Sequence, residues 1–167
     1  MNSRAIRTIL LWATMLPGIC GALESDQDEP ITIESDQAEL DQVAQVGTYT
    51  GNVVVSQGSF TLNADSMVVT VEDGALSHIV AKGDPTDFKQ RPEGQTKDVL
   101  GGANQIDFYA DSSLIVLTGK AWVKQGEDMV QSPKIEYEVK TDKVRAVGGG
   151  EGGGRVRMIF NPGGRDE

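Results

Sequence analysis

From residue 31 onward, apolar side chains fall on alternate positions. Tyr49, Val53 and Val55 share one parity, as do Phe60, Leu62 and Ala64, and then Met67, Val69 and Val71. The second half carries the same kind of rows: Ile106, Phe108 and Ala110; Ile115, Leu117, Ala121 and Val123; Ile135, Tyr137 and Val139. A period of two marks strands with one face buried and the other wet. Ser, Thr, Lys, Asp and Glu fill the opposite parity, with Val54, Val68 and Trp122 as exceptions. Ile31-Thr32-Ile33 reads as the first strand, and Val156, Met158 and Phe160 form the last. No stretch after residue 22 keeps a helical period, and Gln37 to Val46 reads equally as strand and turn. The expected fold class is all-β.

Turn chemistry separates the rows at Gln57-Gly58, Glu72-Asp73-Gly74, Lys82-Gly83-Asp84-Pro85 and Thr141-Asp142-Lys143. Residues 89–102 read as one longer surface loop, and Gly148 to Gly154 as a flexible connection to the last strand. Residues 50–71 and 118–139 are two copies of one pattern, 68 positions apart with no gap. Thr50-Gly51 matches Thr118-Gly119, Gln57-Gly58 matches Gln125-Gly126, and the apolar matches fall on alternate positions. A duplicated hairpin predicts a stacked or rolled sheet.

Such a sheet must dispose of its edges. A closed barrel removes them, whereas an open roll leaves the first and last strands free for another chain. Ile31, Thr32 and Ile33 at one end and Val156, Met158 and Phe160 at the other are the candidate partner edges. Pairing of unlike edges is heterologous and builds filaments rather than closed dimers.

The N-terminus adds a compartment. Arg4 and Arg7 form a positive n-region, Thr8 to Leu16 a short apolar h-region, and Cys20-Gly21-Ala22 a small-residue cleavage site. This is the pattern of a secretory signal peptide cleaved after Ala22. The expected organisation is a signal peptide at 1–22, a disordered acidic lead-in at 23–30, one domain at 31–161 and a flexible tail at 162–167. Cys20 is the sole cysteine and leaves with the signal, so no disulfide or thiolate site is expected.

The chain has 25 acids and 15 bases; losing Arg4 and Arg7 moves the formal charge from −10 to −12. Nucleic acid is therefore a poor partner, since phosphate neutralisation needs a basic face. Any lipid would be held mainly by apolar contact. Catalytic signatures are thin. His78 is the single histidine and reads as a strand or turn surface residue, so a His-rich metal site and a triad are not expected. Asp36, Asp65 and Asp107 sit at repeat-related places, but 5% aromatics offer no sugar platform for a glycosidase. GGGEGGG lacks the Lys-Ser/Thr of a phosphate loop. No cofactor and no metal are expected, and the chain is not read as an enzyme.

Pro30 to Gln37 (PITIESDQ), Thr50 to Gly58 (TGNVVVSQG) followed by Asn63-Ala64-Asp65, and Val116 to Gly119 (VLTG) together resemble the OstA-like (LptA) family of periplasmic lipopolysaccharide transport proteins. The resemblance covers roughly residues 30–160; the glycine-rich stretch and the 89–102 loop lie outside its motifs. It implies a twisted, slightly open antiparallel β-jellyroll with an apolar interior. It also implies carriage of lipopolysaccharide across the periplasm, with LptC at one edge, the LptD N-terminal domain at the other, and head-to-tail self-association. On that reading the inward rows hold lipid A acyl chains: Ile31, Ile33, Phe60, Leu62, Met67, Val69, Phe88, Ile106, Phe108 and Leu117. Phe88, Phe108 and Ile31 stand out because they match apolar positions of the family. The alternative is an OstA-like or LptC-like interaction module that assembles through its edges and binds no lipid.

Overall fold

The structure, a computed structural model, describes residues 29–92, 95–138, 141, 143–149 and 154–161. The expected signal peptide, most of the lead-in, the tail and the middle of the glycine-rich stretch lie outside these residues. Ten strands are described: β1 Thr32–Glu34, β2 Gln37–Asp41, β3 Val46–Gln57, β4 Phe60–Glu72, β5 Ala75–Gln90, β6 Val99–Tyr109, β7 Leu114–Gln125, β8 Asp128–Glu138, β9 Lys143–Val147 and β10 Arg157–Ile159. All pairings are antiparallel, in the order β1-β3-β4-β5-β6-β7-β8-β10, with β2 also on β3 and β9 also on β8. The alternating rows therefore form a meander of six long strands, β3 to β8, with short strands at both edges.

The long strands are not straight. The register breaks between Thr50 and Val53, Asn63 and Ser66, Lys82 and Thr86, Gly102 and Gln105, and Thr118 and Ala121. These bulges lie side by side and form a line across the whole sheet. Each bulge bends its strand and adds twist, so the line divides the sheet into two arms whose inner faces close on one another as an open β-jellyroll. The two Thr-Gly dipeptides of the repeat are bulges: Gly51 and Gly119 both take φ +79. A Cβ on Gly51 would stand 2.4 Å from Asp36 Oδ2, and one on Gly119 would stand 3.0 Å from Asn104 Nδ2. Asp36 secures its bulge from the edge, its N–H donating to the Gly51 carbonyl at 2.9 Å and its carboxylate accepting from Asn52 Nδ2 at 2.9 Å. What the sequence repeats is thus a bend followed by a Gln-Gly turn, where Gly58 and Gly126 take positive φ.

The core lies between the arms in two clusters. One holds Val53, Val55, Leu62, Ala64, Met67 and Ala81, with Ile31, Ile33, Tyr49, Phe60, Val69, Ile79 and Phe88 packed around it. The other holds Ala103, Ile106, Leu117, Ala121 and Ile135, with Phe88, Ile115, Val123, Val130 and Ala146 around it. Phe88 packs against both from within β5. Its ring lies across Gly101, where a Cβ would meet it at 2.3 Å.

Several local expectations change. Lys82-Gly83-Asp84-Pro85 is not a turn between strands: β5 runs through it as one 16-residue strand with a bulge and a cis Asp84-Pro85 bond. The long loop shrinks to residues 91–98, because Lys89 and Gln90 pair with Leu100 and Val99. Gln37 to Val46 divides into β2, a turn and the start of β3. The last strand is Arg157–Ile159, with Val156 and Phe160 just outside it. His78 is a half-buried β5 residue stacked on Tyr109 at 4.3 Å, with Nε2 3.3 Å from Asp107 Oδ1.

Candidate functional site

Between the arms, against the first cluster, lies an apolar cleft of about 70 Å³. Six of the ten sequence-predicted residues line it: Phe60, Leu62, Met67, Phe88, Ile106 and Phe108. Leu62 and Phe88 come from the arm carrying β1 and β10; Met67, Ile106 and Phe108 come from the arm carrying β2 and β9. The inward parity of both arms is what brings them together. Val69, Ile31 and Ile33 sit outside the lining, packed on the first cluster. Leu117 is 2% exposed inside the second cluster and faces no open space.

Five further lining residues were not in the predicted set: Val55, Ile79, Ala81, Gln90 and Ile115. Val55 and Ile115 stand on the alternating rows of the sequence, whereas the signal for Ile79 and Ala81 was register rather than parity. Val69, Ile79, Phe108 and Ile115 form one cross-strand row, and Met67, Ala81, Ile106 and Leu117 form the next. Ala81 is small enough to escape any search for bulky side chains, yet it sits in the middle of its row at 1% exposure.

The lining is apolar apart from Gln90. Among the described residues, no buried side-chain nitrogen or oxygen lacks a hydrogen-bond partner. A molecule in the cleft would be held by burial and dispersion, with its polar parts outside. The rings of Phe60, Phe88 and Phe108 are only half-buried where they line it.

The outer face carries the charged groups, with valines such as Val68, Val80 and Val116 among them. The Asp107 carboxylate, on a residue only 7% exposed, accepts from Gln105 Nε2 at 2.8 Å on one oxygen and faces His78 with the other. Asp36 and Asp107 lie on opposite sides of β4 and β5 and do not form a carboxylate pair. At the 91–98 loop, hydrogen bonds from Arg91 and then Lys89 hold the Asp98 carboxyl below the usual carboxylate range. Lys134, at 2.6 Å, does the same for Glu136, with Arg145 3.7 Å away. Among the described residues, no group of three or more His, Cys, Asp or Glu is placed to hold a metal ion.

Residues 32–143 match the family described as LptA/(LptD N-terminal domain) LPS transport protein. The lipopolysaccharide export system protein LptA of Escherichia coli (strain K12) is 38% identical over 154 residues, covering 91% of this chain and 80% of its own length. The LptA of Haemophilus influenzae is 33% identical over 159 residues, covering 92% and 91%. The crystal structure of LptH, the LptA-homologous periplasmic component of the lipopolysaccharide transport device of Pseudomonas aeruginosa, superposes with a TM-score of 0.74. It shares 26% identity and covers 83% of this chain and 99% of its own. The expected resemblance thus extends over the sequence and the bent sheet together, and the chain belongs to the LptA/LptD N-terminal domain family of lipopolysaccharide transport proteins.

Proposed function

We propose that this chain is a periplasmic, non-enzymatic carrier of lipopolysaccharide, holding acyl chains between its two arms while sugars and phosphates stay in water. The observation that supports it most directly is the apolar cleft, whose lining comes from both arms and which offers no unsatisfied polar group. Burial contributes roughly 0.8 kcal/mol per methylene, so hiding about ten methylenes gives on the order of 8 kcal/mol before ordering costs. Partial burial of this size permits both capture and release. Several fully buried chains would release too slowly. Movement is then sliding from one apolar groove to the next, with direction supplied by other components.

On this reading Phe60, Leu62, Met67, Phe88, Ile106 and Phe108 contact the acyl chains, Ile31 and Ile33 line the approach at the β1 edge, and Val69 and Leu117 shape the walls behind. The signal peptide is removed after Ala22, leaving one domain over 31–161. The exposed edge strands meet LptC on one side and the LptD N-terminal domain on the other, and join copies of the chain head to tail. A purely structural module would need no open apolar space, and the cleft weighs against it.

Native mass spectrometry with purified lipopolysaccharide over a concentration series tests the reading. Stoichiometric binding that falls at least about tenfold in Phe108→Asp, with the fold retained, is the expected result, since a carboxylate in that cleft faces only apolar neighbours. A folded wild-type chain that binds none would overturn it.

A further inference from the structure

The two ends of the sheet carry opposite charge on the same face. Residues 29–81, which include the whole N-terminal edge, hold eight acids and no lysine or arginine. At the other end, the edge strands themselves are basic: β9 carries Lys143 and Arg145, and β10 carries Arg157, with Glu136 and Glu138 one strand in on β8 and Arg145 3.7 Å from Glu136. The registers show where these charges point. Directly paired residues share a face of the sheet, and one outer row runs Glu39, Thr48, Val68, Val80, Asp107, Val116, Glu136 and Arg145. The next outer row begins at Asp41 and ends at Lys143. In the other arm, the outer row that begins at Glu34 ends at Arg157. Three rows that are acidic at the first edge are basic at the last.

Length, direction and inner face agree as well. β2 and β9 have five residues each, and β1 and β10 have three each. β9 runs toward the line of bulges and β2 runs away from it, so β9 of one copy meets β2 of the next antiparallel, as does β10 with β1. With the bulge lines of two copies aligned, Arg145 falls opposite Glu39, Lys143 opposite Asp41 and Arg157 opposite Glu34. The inner faces then match Val144 with Leu40 and Met158 with Ile33. Leu40, Val144 and Met158 are 68%, 53% and 52% exposed, so they are large apolar side chains uncovered at the edges.

We infer that the charge pairs Glu34–Arg157, Glu39–Arg145 and Asp41–Lys143 set the register of the joint between the β1–β2 edge of one copy and the β9–β10 edge of the next, and decide which edge meets which. Unpaired edge N–H and C=O groups supply the joint, and the outer-face charges supply its polarity. Two acidic edges repel and only unlike edges join. The inference rests on the head-to-tail association proposed above and adds its register and its determinants. The inner apolar rows of the two copies then meet at the joint, Val144 beside Leu40 and Met158 beside Ile33.

Sedimentation velocity of the full chain over a concentration series, at low and high salt, tests it with Glu39→Lys/Asp41→Lys and Lys143→Glu/Arg145→Glu. Each double variant alone is expected to raise the self-association Kd about tenfold or more, and an equimolar mixture of the two to return to wild-type association, because both of its joints are again opposite in charge. Far-UV circular dichroism and urea titration confirm folding of each variant. Glu34→Lys with Arg157→Glu, read in the same way, carries the test in the other arm if either double variant does not fold. Wild type that associates while both variants associate equally well, or a mixture that fails to recover, would overturn the charge register and leave head-to-tail association standing. A wild-type chain that stays monomeric throughout would overturn both.

Discussion

The two core clusters use the same strands and the same alternation, yet they are built for different work. In the second, Ala103, Ala121 and Ile135 are each 1% exposed and Leu117 is 2% exposed. Its fringe is aliphatic apart from Phe88, and side chains of this kind interlock tightly. In the first, small buried residues such as Ala64 and Ala81 sit beneath half-exposed rings of Tyr49, Phe60 and Phe88, and the cleft opens against them. One cluster closes the interior of the bent sheet, while the other supplies most of the cleft's lining. A carrier needs both. A uniformly dense interior would admit nothing, and a uniformly loose one would not hold its bend.

Truncation should separate the two most sharply. Leu117→Ala is expected to destabilise by about 2–5 kcal/mol in urea unfolding, because the second cluster has no way to collapse around the void. Phe60→Ala, at the cleft, should cost roughly 1–2 kcal/mol, since its ring is already half in water. Equal losses would mean that the clusters do not differ as described.

Filling the seam between them comes next. Gly101→Val must displace the Phe88 ring, at a cost of about 1–3 kcal/mol. The displaced ring enters the cleft, so lipid uptake measured by native mass spectrometry should fall along with stability. Backbone strain is smaller and sorts the glycines. Gly74→Ala places a Cβ in open space at φ +78 and should cost about 1 kcal/mol, whereas Gly51→Ala adds a clash with Asp36 and should cost more. Thermal melts of the two variants give the order directly.

The smallest effect is electrostatic. The folded-state pKa of Asp98 is depressed by Arg91 and Lys89. The contribution of this ion pair is therefore present above the unfolded value, near 3.9, and is lost as pH falls through the lower folded value. Chemical shifts of residues 91–98 followed in an acid titration should move below pH 4, and Asp98→Asn should abolish that step while leaving both clusters unchanged.

Much of this was legible in the sequence. Alternation gave the strands and their inward faces, because burying one face of a sheet leaves a period of two wherever it occurs. The Gln-Gly pairs marked turns, and the Thr-Gly pairs recurred at the same spacing in both repeats, but only the register shows that the latter are bends. Lys82-Gly83-Asp84-Pro85 misled because a bulge and a turn draw on the same residues. Only the pairing on either side, Lys82 with Gln105 and Thr86 with Ala103, distinguishes them. The cleft was half legible for a related reason. Parity says that Phe108 and Met67 point inward, but only register says that Ile79 and Ala81 lie beside them. Trp122 kept the wrong parity for a core residue because it lies on the outer face over Gly102, where a Cβ would stand 2.8 Å from its Nε1.

The line of bulges also limits how the chain can change in length. A bend that crosses six long strands holds together only while each strand keeps its own count of residues between bulge and turn. One residue gained or lost inside any of them would move its bulge out of line and turn every side chain beyond it to the other face. Insertions are expected to be tolerated where the count does not matter, as at the Asp73-Gly74 turn, where a Cβ on Gly74 would meet nothing within 4 Å. That turn is where a fluorophore or an affinity tag can be grafted with least cost to the roll.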